Sequence, residues 1–181
     1  ELPIRTHCWW SNQGDSIDSH LTRTVDLTNA QSATLAFTAW FDIENDWDYA
    51  YVMISEDDGA SWTILKGLHS VGKNPTGNSY GPAYTGKSAG WIKDKFDLSS
   101  YAGQKILLRF EYITDEAYHS HGICLDNISI PEIGFFDDAE SLDSWIANGF
   151  IRTNNISPQE YIVQLVEITN GEAKIRQISL D

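Results

Sequence analysis

Residues 33–41 alternate with a period of two. Leu35, Phe37, Ala39 and Phe41 fall on one side, Thr34 and Thr38 on the other. Residues 106–112 repeat the pattern, with Ile106, Leu108, Phe110 and Tyr112 set against Arg109 and Glu111. Such alternation describes a strand with one face in a core. The segment 49–55, YAYVMIS, is apolar on both faces, as a central strand covered on each side would be. Further strands are read at 21–27, 91–97, 123–130 and 161–168. The last is followed by the hairpin signal Asn170-Gly171 and a strand to Leu180. Residues 98–104 read as one short helical turn, and no helix of ten or more residues is found. The chain is therefore all-β, and at 181 residues its natural closure is a two-sheet sandwich. In 123–130 the alternation slips between Leu125 and Ile128, which predicts a bulge at Asp126-Asn127.

The segment 52–65, VMISEDDGASWTIL, reads strand, tight turn, strand. Within it Ser55 to Trp62 fit the pattern Ser-x-Asp-x-Gly-x-Ser/Thr-Trp, often called an Asp-box. Asp58-Gly59 can take the positive φ values of a two-residue hairpin. Asp57 can accept hydrogen bonds from the turn's own backbone amides, and Trp62 can fold its ring over the hairpin. The motif organises a hairpin and catalyses nothing. It marks extracellular β-domains that bind or support.

Charge narrows the function classes. Twenty-six acidic residues against 12 basic give a net charge of -14. Nucleic acid and anionic membrane surfaces are disfavoured, because phosphate affinity needs clustered Lys and Arg. No run of about 18 apolar residues exists to insert in a membrane. Two cysteines, Cys8 and Cys124, are too few to define a disulfide framework; a bond between them and two buried free thiols both remain open. The chain opens abruptly at Glu1-Leu2-Pro3-Ile4, as an excised fragment or mature product would.

Candidate sites follow from the carboxylates and the aromatics. No basic residue lies between Arg23 and Lys66, a window that holds Asp42, Glu44, Asp46 and Asp48. Several carboxylate and carbonyl oxygens together suit a hard cation such as Ca²⁺. Asp46 and Asp48 share one face if extended, Asp15 and Asp18 lie in one turn, and Asp115 and Asp126 flank the polar loop 114–122. Asp137, Asp138 and Glu140 form a second acidic group. His119 and His121 lack a third marked ligand, so no zinc site is expected. No Gly-x-Ser-x-Gly elbow and no phosphate-cradling glycine loop occurs. The long loop 66–90 holds six glycines and two prolines, and such loops are commonly functional or mobile. Trp47, Tyr80, Tyr84 and Trp91 fall in or beside loops, where flat rings could stack on sugars. Trp40, Trp62 and Trp145 are expected to pack.

The run from Trp10 to Ile130 resembles the β-sandwich region downstream of the catalytic domain in immune inhibitor A-type secreted metallopeptidases of the M6 type. The matching pieces include LTRTVDLT (21–28), WDYAYVMIS (47–55), YGPAYTGKS (80–88), FDLSSYAGQKILLRFEYITD (96–115) and GICLDNISIPEIG (122–134). Residues 135–168 are similar to the tail of the same proteins. The Leu-Asp-Asn-Ile strand also resembles adhesin and MAM-like jelly-rolls. The resemblance implies a jelly-roll-like sandwich from a secreted or surface bacterial protein, with structural Ca²⁺ and with Asp126 as a ligand. The peptidase machinery does not carry over, since that family's His-Glu-x-x-His is absent from this chain.

The expectation is thus an all-β, jelly-roll-like sandwich over residues 1–131. Residues 132–181 would form a C-terminal β extension or the start of a second β unit. The function expected is a non-catalytic accessory domain with structural Ca²⁺, held by Asp126, Asp46, Asp48, Asp15 and Asp18, and no zinc. Its partners would be the rest of the parent polypeptide and an extracellular glycan or protein surface. A carbohydrate- or surface-binding module using exposed aromatics is the alternative.

Overall fold

The computed structural model describes residues 7–141, 145–154 and 163–178. The two alternating segments are the strands β3 (Thr34–Ile43) and β8 (Lys105–Ile113), one in each sheet. Their apolar faces meet. Phe37 stands edge-on to Phe110 with ring centroids 5.1 Å apart and stacks on Phe96 at 5.7 Å. Leu35, Ala39, Ile106, Leu108 and Tyr112 complete this interior. A sandwich whose inner faces interdigitate in this way draws most of its stability from removing apolar area from water.

The first sheet runs β12 (Ile151–Thr153), β1 (Cys8–Trp10), β9 (Gly122–Ile130), β3 and β6 (Gly86–Lys87). β10 (Phe135–Asp137) also pairs with β9, and β7 (Ile92–Asp97) with β3. The second sheet runs β11 (Ile146–Asn148), β2 (Asp18–Asp26), β8, β4 (Tyr49–Ser55) and β5 (Thr63–Ile64). Neighbours within both sheets pair antiparallel. The 98–104 connection contains a single 3₁₀ turn, Ser99–Tyr101. In β9 the register against β3 shifts between Ala36↔Ser129 and Thr38↔Asp126, and Asn127 sits at φ 51°. This is the bulge that the slipped alternation predicts.

The boundary expected at residue 131 moves. β10 and β12 extend the first sheet and β11 the second, so the sandwich continues through Thr153. Between β11 and β12 the chain crosses from one sheet to the other and buries Phe150. Gly149 makes the crossing possible: at φ 83° it lies so close to Ser19 that a Cβ would sit 3.0 Å from the Ser19 Cα. Trp145 closes this end, 5.9 Å from Phe110 and 6.4 Å from Phe135, with the Arg23 guanidinium 3.7 Å over the Phe135 ring. β13 (Val163–Thr169) and β14 (Glu172–Ile178) join through Asn170-Gly171, both at positive φ. Among the described residues they pair only with each other. Tyr161 and Leu180, at the outer ends of these strands as read from sequence, lie outside the described residues, as do Leu2, Pro3 and Ile4.

The 52–65 hairpin has its turn at Asp58-Gly59, with φ 55° and 92°. The ladder Met53↔Ile64 and Ile54↔Thr63 is centred on that pair. Nearer the turn, side chains replace the ladder. Asp57 accepts from the Ser55 hydroxyl at 2.8 Å, the Ser61 amide at 2.8 Å and the Ser61 hydroxyl at 2.6 Å. These donors, Ser61 foremost, hold the Asp57 carboxyl down at about 2. Asp57→Ala should therefore speed hydrogen exchange at the Ser61 amide several-fold while leaving the strand amides of β8 protected. Equal protection in the variant would show that the turn forms without the carboxylate.

Candidate metal centre

Two loops meet at one end of the sandwich. The connection from β3 to β4 carries Glu44 and Asp48, and the chain leaving β8 carries Asp115. The β3–β4 turn closes through the Asp48 amide, which donates to the Glu44 carbonyl at 3.2 Å, with Asp46 at φ 67°. Asp48 points inward and is 0% exposed. Its Oδ1 accepts from the Asp115 amide at 3.0 Å. One carboxylate oxygen each from Glu44, Asp48 and Asp115 lie within 4.8 Å of one another.

This arrangement is electrostatically unfinished. Asp48 Oδ2 and Glu44 Oε2 are buried with no hydrogen-bond partner, and so is the Tyr112 hydroxyl on β8. Native structures leave few buried polar atoms in that condition. Burial, then repulsion from Glu44 and Asp115, pushes the Asp48 carboxyl up to about 6, against the Asp115 amide bond that lowers it. Burial and then the charges of Asp115 and Asp15 raise Glu44. Tyr112 is raised by burial, then by Asp48, Asp42 and Glu44. Three carboxylates crowded in this way, with orphan oxygens, offer part of the oxygen shell that a hard divalent cation takes. Such an ion would supply the missing partner and relieve the repulsion.

The structure sorts the residues singled out in the sequence. Asp48 is in the cluster. Asp15 is beside it: its charge reaches Glu44, and its Oδ1 lies 2.6 Å from His119 Nδ1. Asp46 serves the turn, its side chain accepting from Asn45 at 2.6 Å and its carbonyl from the Tyr49 and Thr76 hydroxyls. Asp18 belongs to a separate group with His20 and Glu111. There His20 Nε2 sits 2.8 Å from Asp18 and Arg109 3.2 Å from Glu111, so these carboxylates already have side-chain partners.

Asp126 lies elsewhere, buried at the β9 bulge and accepting from the Asn127 amide and side chain at 2.7 and 2.8 Å. Burial and the charges of Asp138, Glu140 and Asp137 push it up to about 6. Those neighbours are partnered: Asp137 accepts from the indoles of Trp9 and Trp145, and Glu140 from His7. The sequence marks Glu44 only as part of the acidic window and Asp115 only as a flank of the 114–122 loop, so neither is in the expected ligand set. Only the position of each at a loop leaving a core strand signals them.

The aromatics divide likewise. Trp47, 47% exposed, and Tyr80, 74% exposed, join Tyr49 and Tyr51 around a cleft of about 290 Å³ edged by Asn78 and Glu116. Tyr51 stands 6.2 Å from both Tyr49 and Tyr80. Tyr84 is not available as a platform. It is 2% exposed, and its hydroxyl donates to Asp94 at 2.6 Å inside the sandwich. Trp91 lies apart, beside Trp10 and Trp40 on the other sheet.

The family described as immune inhibitor A-like, MAM domain matches residues 4–155. The chain belongs to this family. Three relatives place the match. The pre-pro-metalloprotease PrtV of Vibrio cholerae serotype O1 is 33% identical over 147 residues, 80% of this chain and 15% of PrtV. Immune inhibitor A of Bacillus thuringiensis subsp. alesti is 33% identical over 174 residues, 93% of this chain and 24% of that protein. Bacillopeptidase F of Bacillus subtilis is 27% identical over 108 residues, covering 60% and 6%. The immune inhibitor A-like MAM domain of this chain thus corresponds to a fragment of much longer relatives. Among its described residues no helix is long and apolar enough to cross a membrane.

Proposed function

We propose that the chain is a non-catalytic accessory domain of an extracellular bacterial M6-type metallopeptidase, stabilising or positioning the parent, with a structural Ca²⁺ at Glu44, Asp48 and Asp115. The accessory role is supported by the family match together with a span of 15% and 24% of the two peptidases. The cation is supported by one observation above the rest: a fully buried carboxylate with an unpartnered oxygen beside two others. Loop carbonyls and water would complete the shell, because Ca²⁺ takes six to eight oxygens. The ion would tie the β3–β4 loop to the end of β8, fixing that end of the sandwich.

Thermal melts with Ca²⁺ and with excess EGTA test this reading. At about 100 times the dissociation constant, an ion that binds only the folded state adds roughly 2.7 kcal/mol, or roughly 5 to 10 °C at this size. The gain should be full at pH 7 and shrink toward pH 5, as protons compete for a carboxyl that titrates at about 6. Superimposable melts at pH 7 would remove the cation from the account.

A second reading rests on the cleft of Trp47, Tyr49, Tyr51 and Tyr80. The exposed rings of Trp47 and Tyr80, with Asn78 and Glu116 at the edge, suit a glycan, whose apolar face stacks while its hydroxyls hydrogen-bond. Tyr80→Ala should lower affinity for any glycan bound roughly tenfold, with an unchanged melting temperature, since the ring is mostly exposed. A glycan array without a hit on the wild-type chain would retire this reading.

A further inference from the structure

The outward face of the first sheet carries a row of large side chains in register. Pairing sets Trp10 opposite Cys124 across β1 and β9, and Cys124 opposite Trp40 across β9 and β3. Trp91 falls one step beyond the last β3–β7 pair, Ala39↔Ile92, in line with Trp40. Trp9 and Leu125 belong to the core between the sheets. Side chains alternate along a strand, so Cys8, Trp10 and Cys124 point the other way. Cys8 stands two residues before Trp10 and therefore diagonal to Cys124 on the same face. Diagonal neighbours in antiparallel strands lie about 7–8 Å apart, with Cβ atoms somewhat closer, so a bridge between them needs a small backbone adjustment of the short β1.

Both cysteines open on one space there. Both line one cavity of about 320 Å³ walled by Trp10, Trp40 and Trp91. Cys8 is 2% exposed. The neighbouring Cys8 thiol, followed by burial, drives the Cys124 thiol far above its ordinary range. Both cysteines are in the thiol form in this structure. They are the only two cysteines in the chain, so no other intramolecular pairing competes.

We propose that Cys8 and Cys124 form a cross-strand disulfide in the oxidised protein, fastening β1 to β9. β1 is three residues long and pairs with β9 through only Trp9↔Leu125 and Trp10↔Cys124. β1 also pairs with β12 over Cys8↔Thr153, Trp9↔Arg152 and Trp10↔Ile151, and a covalent link to β9 closes a loop that spans most of the sandwich. In the reaction each thiol gives up its proton, and the two sulfurs together give up two electrons as the S–S bond forms. A small-molecule disulfide such as oxidised glutathione accepts the electrons and is released as two thiols, by way of a mixed disulfide on one cysteine. Folding buries Cys8 and disfavours the Cys124 thiolate, which is the attacking species. The bond therefore forms while the chain folds, and once formed it is shielded from reductants by the three indoles.

The test refolds the reduced chain in a glutathione redox buffer with EGTA present, which keeps it independent of any cation. Alkylation under denaturing conditions should then find no free thiol. The mass should be that of the reduced chain less two hydrogen atoms, and a non-reduced digest should contain one peptide joining Cys8 to Cys124. Reducing this protein, or replacing Cys124→Ser, should lower the melting temperature by roughly 5 to 15 °C. Should Cys124→Ser not fold, the oxidised and reduced wild-type chains still give the comparison. A folded monomer with two alkylatable thiols, or one carrying glutathione on either cysteine, would overturn the proposal.

Discussion

Asp48→Asn should melt at a higher temperature than the wild-type chain in EGTA and at a lower one in calcium. The crossing follows from the sign of the Asp48 shift. Its carboxyl is raised from 3.8 to about 6 by burial and by Glu44 and Asp115. A raised carboxyl binds its proton more tightly in the folded chain than in the unfolded one. Stability is therefore lost as pH rises from about 4 to about 6, and the loss is complete at pH 7. Discounted for water reaching the loop, it is about 1–3 kcal/mol. Asparagine removes that charge, keeps an acceptor for the Asp115 amide, and turns two N–H donors toward carboxylates that lack them. The same change deletes a negatively charged ligand, so the calcium-dependent gain of roughly 2.7 kcal/mol disappears. Scanning calorimetry of both proteins at pH 7 in both buffers reads all four values. A variant less stable than wild type in both buffers, by the same amount, would mean that Asp48 is an ordinary buried hydrogen-bonding residue.

The other large effect is expected at Asp94, which is almost fully buried in β7. Its carboxylate accepts from the amides of Leu68, His69 and Lys95 at 2.8, 3.1 and 2.7 Å and from the Tyr84 hydroxyl at 2.6 Å. It thus holds both halves of the glycine-rich loop 66–90 against the sandwich. Asp94→Ala strands these donors, one of them a buried phenol. The cost is about 3–5 kcal/mol, since each unsatisfied buried group costs on the order of 1–3. At this size the melting temperature should fall roughly 10 °C or more, with faster hydrogen exchange across 67–84. Asp94→Asn keeps one acceptor oxygen and should fall between. A loss within 2 °C for Asp94→Ala (about the effect of an ordinary surface change) would show that the loop is held by other contacts.

Asp94 also explains what the sequence concealed. Six glycines and two prolines in 66–90 describe a loop, and the structure keeps little strand there. Nothing in that composition says that the loop folds inward. Tyr84 pairs with Ala50 and enters the core because a carboxylate 10 positions later accepts its hydroxyl. The long strands were legible because nine or ten residues display a period of two, and the β9 bulge was legible as a break in that period. β10, β11 and β12 hold three residues each, too few to show any period, so the sequence leaves open whether the chain after Pro131 extends the sandwich or begins a second unit. The acidic excess near Glu44 pointed to a cation, and Asp48 was named. Which carboxylates converge depends on the β3–β4 loop and the chain after β8 lying at the same end, and that is fixed only by strand order. Asp126 carries the family likeness, yet it faces the bulge and its own neighbour Asn127 rather than this cluster.

Calorimetric titration of Ca²⁺ into the chelator-stripped chain at pH 7 tests the central claim most directly. The account predicts a saturable site on the wild-type chain that is absent from Asp48→Asn. No saturable uptake at millimolar Ca²⁺, or the same uptake in Asp48→Asn, would contradict it.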